Sequence, residues 1–143
     1  SVGADRLFLA VLCNAYTNET VGEGEQAKQR TYLKLHPALA PFKVAVLPLV
    51  KKDGLAEKAQ EVANALKSSF RTTYDDGAAI GKRYTRQDLI GTPYCVVIDY
   101  QTMEDNTVTI RHRDSMEQER IAIADLKEKI GYEVALERIL ESI

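Results

Sequence analysis

The sequence predicts a three-layer α/β/α domain built on a mixed five-stranded sheet. Residues 42–50 form an almost continuous apolar run, which is typical of a strand buried on both faces. Apolar residues then recur at helical spacing from Leu55 to Phe70, and further strand patterns follow. This alternation indicates parallel strands with crossover helices. Strands at 94–99 and 107–113 are joined by a turn short enough to require antiparallel pairing, so the sheet is mixed.

Each remaining element has a local signal of its own. Asp53 is a suitable N-cap for the helix that starts at Leu55. A short polar helix is predicted over 80–90, because Gly91 and Pro93 stop it. The other predicted elements are strands at 71–74 and 119–123, and a terminal region over 126–143 that forms one helix interrupted at Gly131 or two short helices.

The chain is predicted to have three parts. Residues 1–16 read as a helix that is apolar on every side over 7–13, residues 17–34 read as a flexible polar linker, and residues 35–143 form the domain. A helix that is apolar all round requires packing partners. We therefore expect a C-terminal part of a longer protein, in which this helix is the truncated end of an upstream domain. Here it should pack on a neighbouring molecule or on the domain surface.

Composition restricts the class of protein. The 143 residues are 45% hydrophobic and 28% charged, which is typical of a folded domain, and the net charge of −2 argues against indiscriminate coating of nucleic acid. Cys13 and Cys95 lie in apolar runs without a C-x-x-C motif, so both are interpreted as reduced core cysteines. No apolar run approaches the ~20 residues of a membrane span, so a cytoplasmic protein with no membrane partner is expected.

Two arginines share one face of a predicted strand. The period of two sends Arg111 and Arg113 to one side of the sheet and His112 to the other. Paired guanidinium groups suit a phosphate or the edge of a base. The alternative is an ordinary solvated strand face.

The polar helix over 80–90 carries a second cluster of basic residues. Cations beside an aromatic ring are what single-stranded RNA binding uses, although an ordinary solvated crossover helix has the same pattern. Two lysines also leave the first strand at its carboxyl end, where open α/β sheets place ligand crevices. The residues concerned are Lys82, Arg83, Tyr84, Arg86, Lys51 and Lys52.

Several other chemistries have little support. There is no G-x-G-x-x-G motif and no P-loop, and the two histidines do not suggest a Ser/His/Asp triad. Asp75, Asp76 and Asp99 are a minor alternative as a magnesium pocket, since paired acids in a turn are usually turn formers and caps. We predict no metal site.

Four segments carry a resemblance to a known family. They are LHPALAPFKVAVLPL at 35–49, YDD at 74–76, IGKRYTRQDLIGTP at 80–93 and DNTVTIRHRD at 105–114. Together they resemble the C-terminal anticodon-binding domain of the homodimeric class II glycyl-tRNA synthetases. GADRLFLAVL at 3–12 resembles the end of catalytic motif 3 in the same enzymes.

The resemblance implies a function and a set of partners. The domain would hold the anticodon stem-loop of tRNA-Gly, while the full-length homodimer activates glycine with ATP and Mg²⁺ and transfers it to the tRNA. Arg6 matches an arginine that contacts ATP in the intact enzyme only, so this segment alone should not be catalytic. An alternative is a synthetase-like accessory subunit of a polymerase that binds nucleic acid. A third, less favoured class is a small-molecule or signalling α/β domain.

The resemblance also implies which residues meet RNA. Arg111 or Arg113 would read a base edge, and carboxylates would accept from cytosine amino groups. The implied RNA-binding residues are Arg111, Arg113, Lys82, Arg83 and Arg86, with Lys51 and Lys52 on phosphates and Asp75, Asp76 and Glu117 as acceptors.

Overall fold

The computed structural model describes residues 3–135, which form five α-helices and seven β-strands. The chain begins with helix α1 (Ala4–Ala15) and a hairpin of β1 (Tyr16–Val21) and β2 (Lys28–Leu33). The remaining elements are β3 (Val44–Pro48), α2 (Leu55–Lys67), β4 (Thr72–Tyr74), α3 (Ile80–Ile90), β5 (Tyr94–Ile98), α4 (Tyr100–Asp105), β6 (Thr107–His112), β7 (Gln118–Ala122) and α5 (Leu126–Val134).

The central sheet has the strand order β4-β3-β5-β6-β7. Strand β3 pairs in parallel with both β4 and β5, so that Val44 lies opposite Thr72 on one side and Tyr94 on the other. Strands β6 and β7 complete the sheet by antiparallel pairing. The predicted mixed five-stranded sheet is confirmed.

Helices cover both faces of this sheet. Alternate residues of β3 point to opposite sides, so Val44 and Val46 pack with α2 and α5 while Ala45 and Leu47 pack with α3. The core on the α3 side has fewer buried residues, and it includes Cys95 from β5 and the half-buried Tyr84 from α3. Burial on both faces explains why β3 reads as a continuous apolar run.

The prediction of a flexible linker over residues 17–34 is wrong, because these residues form the β1–β2 hairpin. All six residues of β1 pair with β2, from Tyr16 opposite Leu33 to Val21 opposite Lys28. Arg30 and Tyr32 of β2 are buried, and the Arg30 guanidinium lies 4.0 Å from the centroid of the Tyr32 ring. The hairpin is stabilised by a buried polar contact, which the low apolar content of this segment did not reveal. The division of the chain into domains stays a prediction.

The first helix exposes the residues that were expected to be covered. Leu7, Phe8 and Leu9 are between 60% and 65% exposed, so they pack neither on the domain surface nor in a core. Cys13 is exposed as well, which contradicts its interpretation as a core cysteine, whereas Cys95 is buried as expected. No helix among residues 3–135 is long and apolar enough to cross a bilayer.

Three local predictions require correction. Asp53 is not the N-cap of α2, because Gly54 occupies that position with a left-handed backbone, and the Asp53 carboxylate accepts a 2.9 Å hydrogen bond from Tyr100 Oη. The predicted turn between β5 and β6 contains helix α4, which begins at a capping box of Asp99 and Thr102. The antiparallel pairing of these strands is confirmed. The predicted terminal helix is observed as α5 to Val134, but the interruption predicted at Gly131 is wrong, because α5 continues through this residue. The part of the prediction beyond 135 lies outside the described residues.

Candidate nucleic-acid interface

A cavity of about 890 Å³ opens between the β1–β2 hairpin, α3 and the segment that leads into β7. One face of α3 lines it through Gly81, Tyr84, Thr85 and Asp88, which recur at helical spacing. Arg111 of β6 also lines it, as does Arg30 of the hairpin. The cavity therefore combines the sheet, its crossover helix and the hairpin.

One buried carboxylate serves two guanidinium groups beside this cavity. Arg111 donates from Nη1 to Asp88 Oδ1 at 3.1 Å and from Nη2 to Oδ2 at 3.3 Å. Arg30 donates to the same Oδ2 from Nε and Nη2, both at 3.4 Å. Burial acts to lower the pKa of Arg30, but Glu19 and Asp88 outweigh burial and raise it. With Glu19, which lies 2.8 Å from Arg30 Nη1, two carboxylates balance the charge of the two guanidinium groups.

An aromatic ring holds the Arg111 guanidinium in place. Its central carbon lies 4.5 Å from the centroid of the Tyr84 ring, a distance typical of a cation–π contact. Burial raises the pKa of Tyr84, and burial raises the pKa of the neighbouring Cys95 thiol to about 12. Both groups therefore stay neutral near pH 7 beneath Arg111.

Arg113 lies on the same side of the sheet as Arg111, as the strand period predicts, but it binds the protein itself. Its side chain is 1% exposed. It donates from Nη1 to the carbonyl oxygen of Gly91 at 2.7 Å, from Nη2 to the carbonyl oxygen of Leu35, and from Nε to Asp114 at 2.8 Å. Arg113 thus ties the end of α3 to the segment that precedes β3.

Arg83 is similarly buried and faces backbone carbonyl groups. It donates to the carbonyl oxygens of Pro48, Asp76, Gly77 and Ala78. These groups lie at the end of β3 and in the loop before α3. Arg83 therefore joins the start of α3 to the carboxyl end of β3.

The exposed predicted residues form a second patch, in which several charges are paired. Arg86 donates to both carboxylate oxygens of Asp75, at 2.9 Å from Nε to Oδ2 and 2.8 Å from Nη2 to Oδ1. Lys51 lies 3.0 Å from Asp76, and this contact holds the pKa of Asp76 below its usual range. Lys82 is exposed on α3.

Three predicted residues lie elsewhere. Lys52 is exposed after β3, and among residues 3–135 neither it nor Lys82 belongs to an ion pair. Glu117 is exposed in the turn between β6 and β7, next to the cavity-lining Gln118. Arg6 is exposed on α1 and lines neither the cavity of about 890 Å³ nor the smaller one beside α1, so nothing on these two surfaces forms an ATP site around it.

The magnesium alternative finds no support in the geometry. Asp75 and Asp76 are paired with cations, and Asp99 binds Arg120 and caps α4. Over residues 3–135, no three His, Cys, Asp or Glu side chains converge to hold an ion.

Two residues of the cavity were missed from the sequence. Arg30 lies in the segment that is predicted to be a linker. Asp88 lies in the predicted polar helix but is not among the predicted site residues. Asp88 follows Tyr84 by one helical turn, and this spacing was the one available signal that the two share a face.

Comparisons with known proteins agree with this geometry. Residues 43–132 match the model of the family described as "Anticodon binding domain". The glycine–tRNA ligase of Treponema denticola is 54% identical over 135 residues, and that of Clostridium tetani is 55% identical over 134 residues. Each match covers 94% of this chain but only 30% and 28% of the relative, so the chain spans less than a third of their length.

Solved structures give the same result for the fold. The RNA-binding domain of threonyl-tRNA synthetase from Cryptosporidium parvum superposes with a TM-score of 0.64 at 28% identity, covering 70% of this chain and 25% of that one. Prolyl-tRNA synthetase from the same organism gives 0.64 at 27% identity, covering 70% of this chain and 22% of that one.

The relatives also decide between the alternatives drawn from the sequence. The two curated relatives are tRNA ligases, and the polymerase accessory subunit has no support among them or the solved structures. The family match spans β3 to α5, which includes Asp88 and Arg111 but leaves out the hairpin. The resemblance seen in the sequence is thereby confirmed, and the chain belongs to the anticodon-binding domain family.

Proposed function

We propose that this chain is the tRNA-binding part of a glycine–tRNA ligase and that it holds the anticodon of tRNA-Gly. The observation that carries the proposal is the cavity beside α3, where Arg111 is fixed by Asp88 and Tyr84 within the family-matched region. A fixed guanidinium with spare N–H donors suits the acceptor atoms of an unpaired base.

The full-length protein is proposed to be a cytoplasmic homodimer that uses ATP and Mg²⁺ to charge tRNA with glycine. The ligase activity rests on the names of the relatives, of which the chain covers less than a third. The homodimer and the use of ATP and Mg²⁺ rest on the resemblance seen in the sequence. Arg6 is proposed to contact ATP only when the rest of that enzyme surrounds it.

The positions of the arginines narrow the proposed contacts. All three are buried, but Arg111 lines the cavity and is the base-contacting candidate, while Arg83 and Arg113 do not line it and support the site through the backbone carbonyls that they bind. Lys52 and Lys82 suit phosphates directly, because they are exposed. Lys51 and Arg86 must first leave Asp76 and Asp75, and this exchange costs less for the single Lys51 contact than for the bidentate Arg86 pair.

The carboxylates also differ in whether a cation already binds them. Asp75 and Asp76 are already engaged by cations, so they are weaker candidates for accepting from a cytosine amino group. Glu117 is exposed beside the cavity and stays a candidate acceptor.

The test is the affinity of the 143-residue chain for a tRNA-Gly transcript and for the same transcript with both anticodon C positions changed to U. Each altered base should weaken binding by about 1–3 kcal/mol. Lys82→Ala should weaken both complexes equally, because a phosphate contact carries no sequence information. Equal affinity for both RNAs, with only a salt-dependent component, would contradict the proposal.

A further inference from the structure

The β1–β2 hairpin forms a wall of the cavity although it lies outside the residues that match the family model. Arg30 fixes it there, through Asp88 of α3 and through a hydrogen bond to the carbonyl oxygen of Arg113. Glu19 of β1 binds the same guanidinium at 2.8 Å, from the position directly opposite Arg30 in the hairpin. Both hairpin strands are thereby anchored to the domain.

The turn of this hairpin brings two carboxylates to the cavity, which Lys28 of β2 lines as well. Glu23 and Glu25 line it, both are exposed, and neither belongs to an ion pair among residues 3–135. Carboxylates repel a phosphate but accept hydrogen bonds from the amino group of a base. Arg111 of β6 lines the same cavity from the sheet, and its guanidinium group donates only.

This arrangement of acceptors and donors is complementary to the hydrogen-bonding edge of cytosine. Cytosine presents an amino donor beside two acceptors, the ring nitrogen N3 and the carbonyl oxygen O2. A carboxylate from the hairpin turn and a guanidinium from β6 satisfy both kinds of group. Uracil replaces the amino group with a carbonyl oxygen, which would face a carboxylate and be repelled.

We propose that the hairpin turn is a wall of the base-reading pocket, where Glu23 or Glu25 accepts from the amino group of an unstacked cytosine. The inference rests on the proposed function and extends the RNA site beyond the family-matched domain. It makes the site composite, with acceptors from the hairpin and donors from β6.

The experiment compares the wild-type chain with the double variant Glu23→Gln/Glu25→Gln. Affinity is measured for an RNA stem-loop with cytosines in the anticodon and for its C-to-U counterpart. Wild type should prefer the cytosine RNA by about five-fold or more. The double variant should lose most of that preference, because an amide also donates to the uracil oxygen.

The control variant is Glu57→Gln/Glu104→Gln. It makes the same change in net charge at two exposed residues of α2 and α4, neither of which lines the cavity. The change in net charge by itself strengthens the binding of both RNAs to the same extent in either variant. The ratio of the two affinities is therefore the readout, because it is independent of this general charge effect. The control should keep the wild-type ratio.

A photocross-link then shows whether the effect is direct. Gln26→p-benzoylphenylalanine places the probe on the hairpin turn, and Gln60→p-benzoylphenylalanine places it on α2. Only the first should cross-link to anticodon-loop nucleotides.

The outcomes separate the two proposals. If wild type discriminates and the double variant retains the full ratio, the hairpin inference is overturned while the proposed function stands. Loss of the ratio without a cross-link from position 26 also overturns a direct contact. If wild type itself does not discriminate, both proposals fail.

Discussion

Buried arginines of this chain bind backbone carbonyl groups at the ends of helices and strands. Arg83 does so at the end of β3, and Arg113 does so at Gly91, which caps α3. A planar guanidinium has five donors in a fixed geometry, so one side chain satisfies several carbonyl groups that secondary structure leaves unpaired. Such arginines stabilise the fold before they contribute to binding.

Replacing Arg113 by alanine should therefore cost stability. We expect Arg113→Ala to lower the free energy of unfolding by about 2–4 kcal/mol, because the buried carbonyl oxygens of Leu35 and Gly91 lose their donor. Urea denaturation measures this. Lys82→Ala, at an exposed lysine of α3, should change stability by no more than about 0.5 kcal/mol. A wild-type midpoint for Arg113→Ala would contradict the structural role.

Cys95 should make the protein sensitive to alkali. Burial raises its pKa from an ordinary 9.0 to about 12, so the unfolded thiol ionises above pH 9 while the folded thiol does not. Its contribution to stability is complete below pH 9 and is lost between pH 9 and about 12, at up to about 1.4 kcal/mol per pH unit.

The measurement is the free energy of unfolding at several pH values between 8 and 10.5. Cys95→Ala should show a shallower decline than wild type, and the exposed Cys13→Ala should keep the wild-type slope. Some decline should remain in Cys95→Ala, because burial also raises the pKa of Tyr84. Identical slopes for all three proteins would show that Cys95 does not carry the effect.

The strand period correctly placed Arg111 and Arg113 on one side of the sheet, but it carried no information on what covers that side. The cover is α3 and the hairpin, which are distant in sequence. Whether an arginine reaches solvent is decided by such tertiary contacts, so the residue types were predictable and their burial was not.

Among the elements, α3 matches its prediction from first to last residue, and its C-terminal end has the strong signal. Gly91 ends it with φ +80°, and a Cβ there would lie 2.8 Å from Leu35 Cδ1 and 3.3 Å from the Leu33 carbonyl oxygen. Gly81 lies within the same helix, outside the left-handed region, and a Cβ at this position would meet no atom within 4 Å.

The two glycines should therefore respond oppositely to alanine. Gly91→Ala should destabilise the protein by about 1–3 kcal/mol, from the left-handed backbone and the crowding at Leu35. Gly81→Ala should be neutral or stabilising by up to about 1 kcal/mol, because alanine favours the helix. Thermal unfolding of both variants measures the difference, and equal effects would refute the steric explanation.

The elements that the sequence missed are those without apolar periodicity. Helix α4 depends on the capping box of Asp99 and Thr102, and the hairpin depends on the buried contact between Arg30 and Asp88. Polar contacts of this kind join residues whose spacing in sequence carries no pattern. The strands β3, β5 and β6 were predictable because burial imposes an apolar sequence on them.

For the whole molecule, the balance of charge limits how binding depends on salt. The net charge is −2, and two of the four proposed phosphate contacts, Lys51 and Arg86, already have acidic partners. Four phosphate contacts at most give a slope of log affinity against log salt no steeper than about −3 for single-stranded RNA.

A titration of the anticodon stem-loop from about 50 to 200 mM salt measures that slope. Lys52→Ala/Lys82→Ala should make it shallower by about 1–2, and Glu57→Gln should leave it unchanged. A slope steeper than about −5 would mean that cations outside the proposed set contact the RNA.

The two ion pairs of Asp88 restrict which substitutions this protein can accept during evolution. Because one buried carboxylate serves both Arg30 and Arg111, a single replacement at any of these three positions removes a partner from a buried charge. A viable lineage must alter them together or pass through a weakened intermediate. We therefore expect the residues at positions 30, 88 and 111 to covary in evolution. This covariation would couple the hairpin to the domain that follows it in the chain.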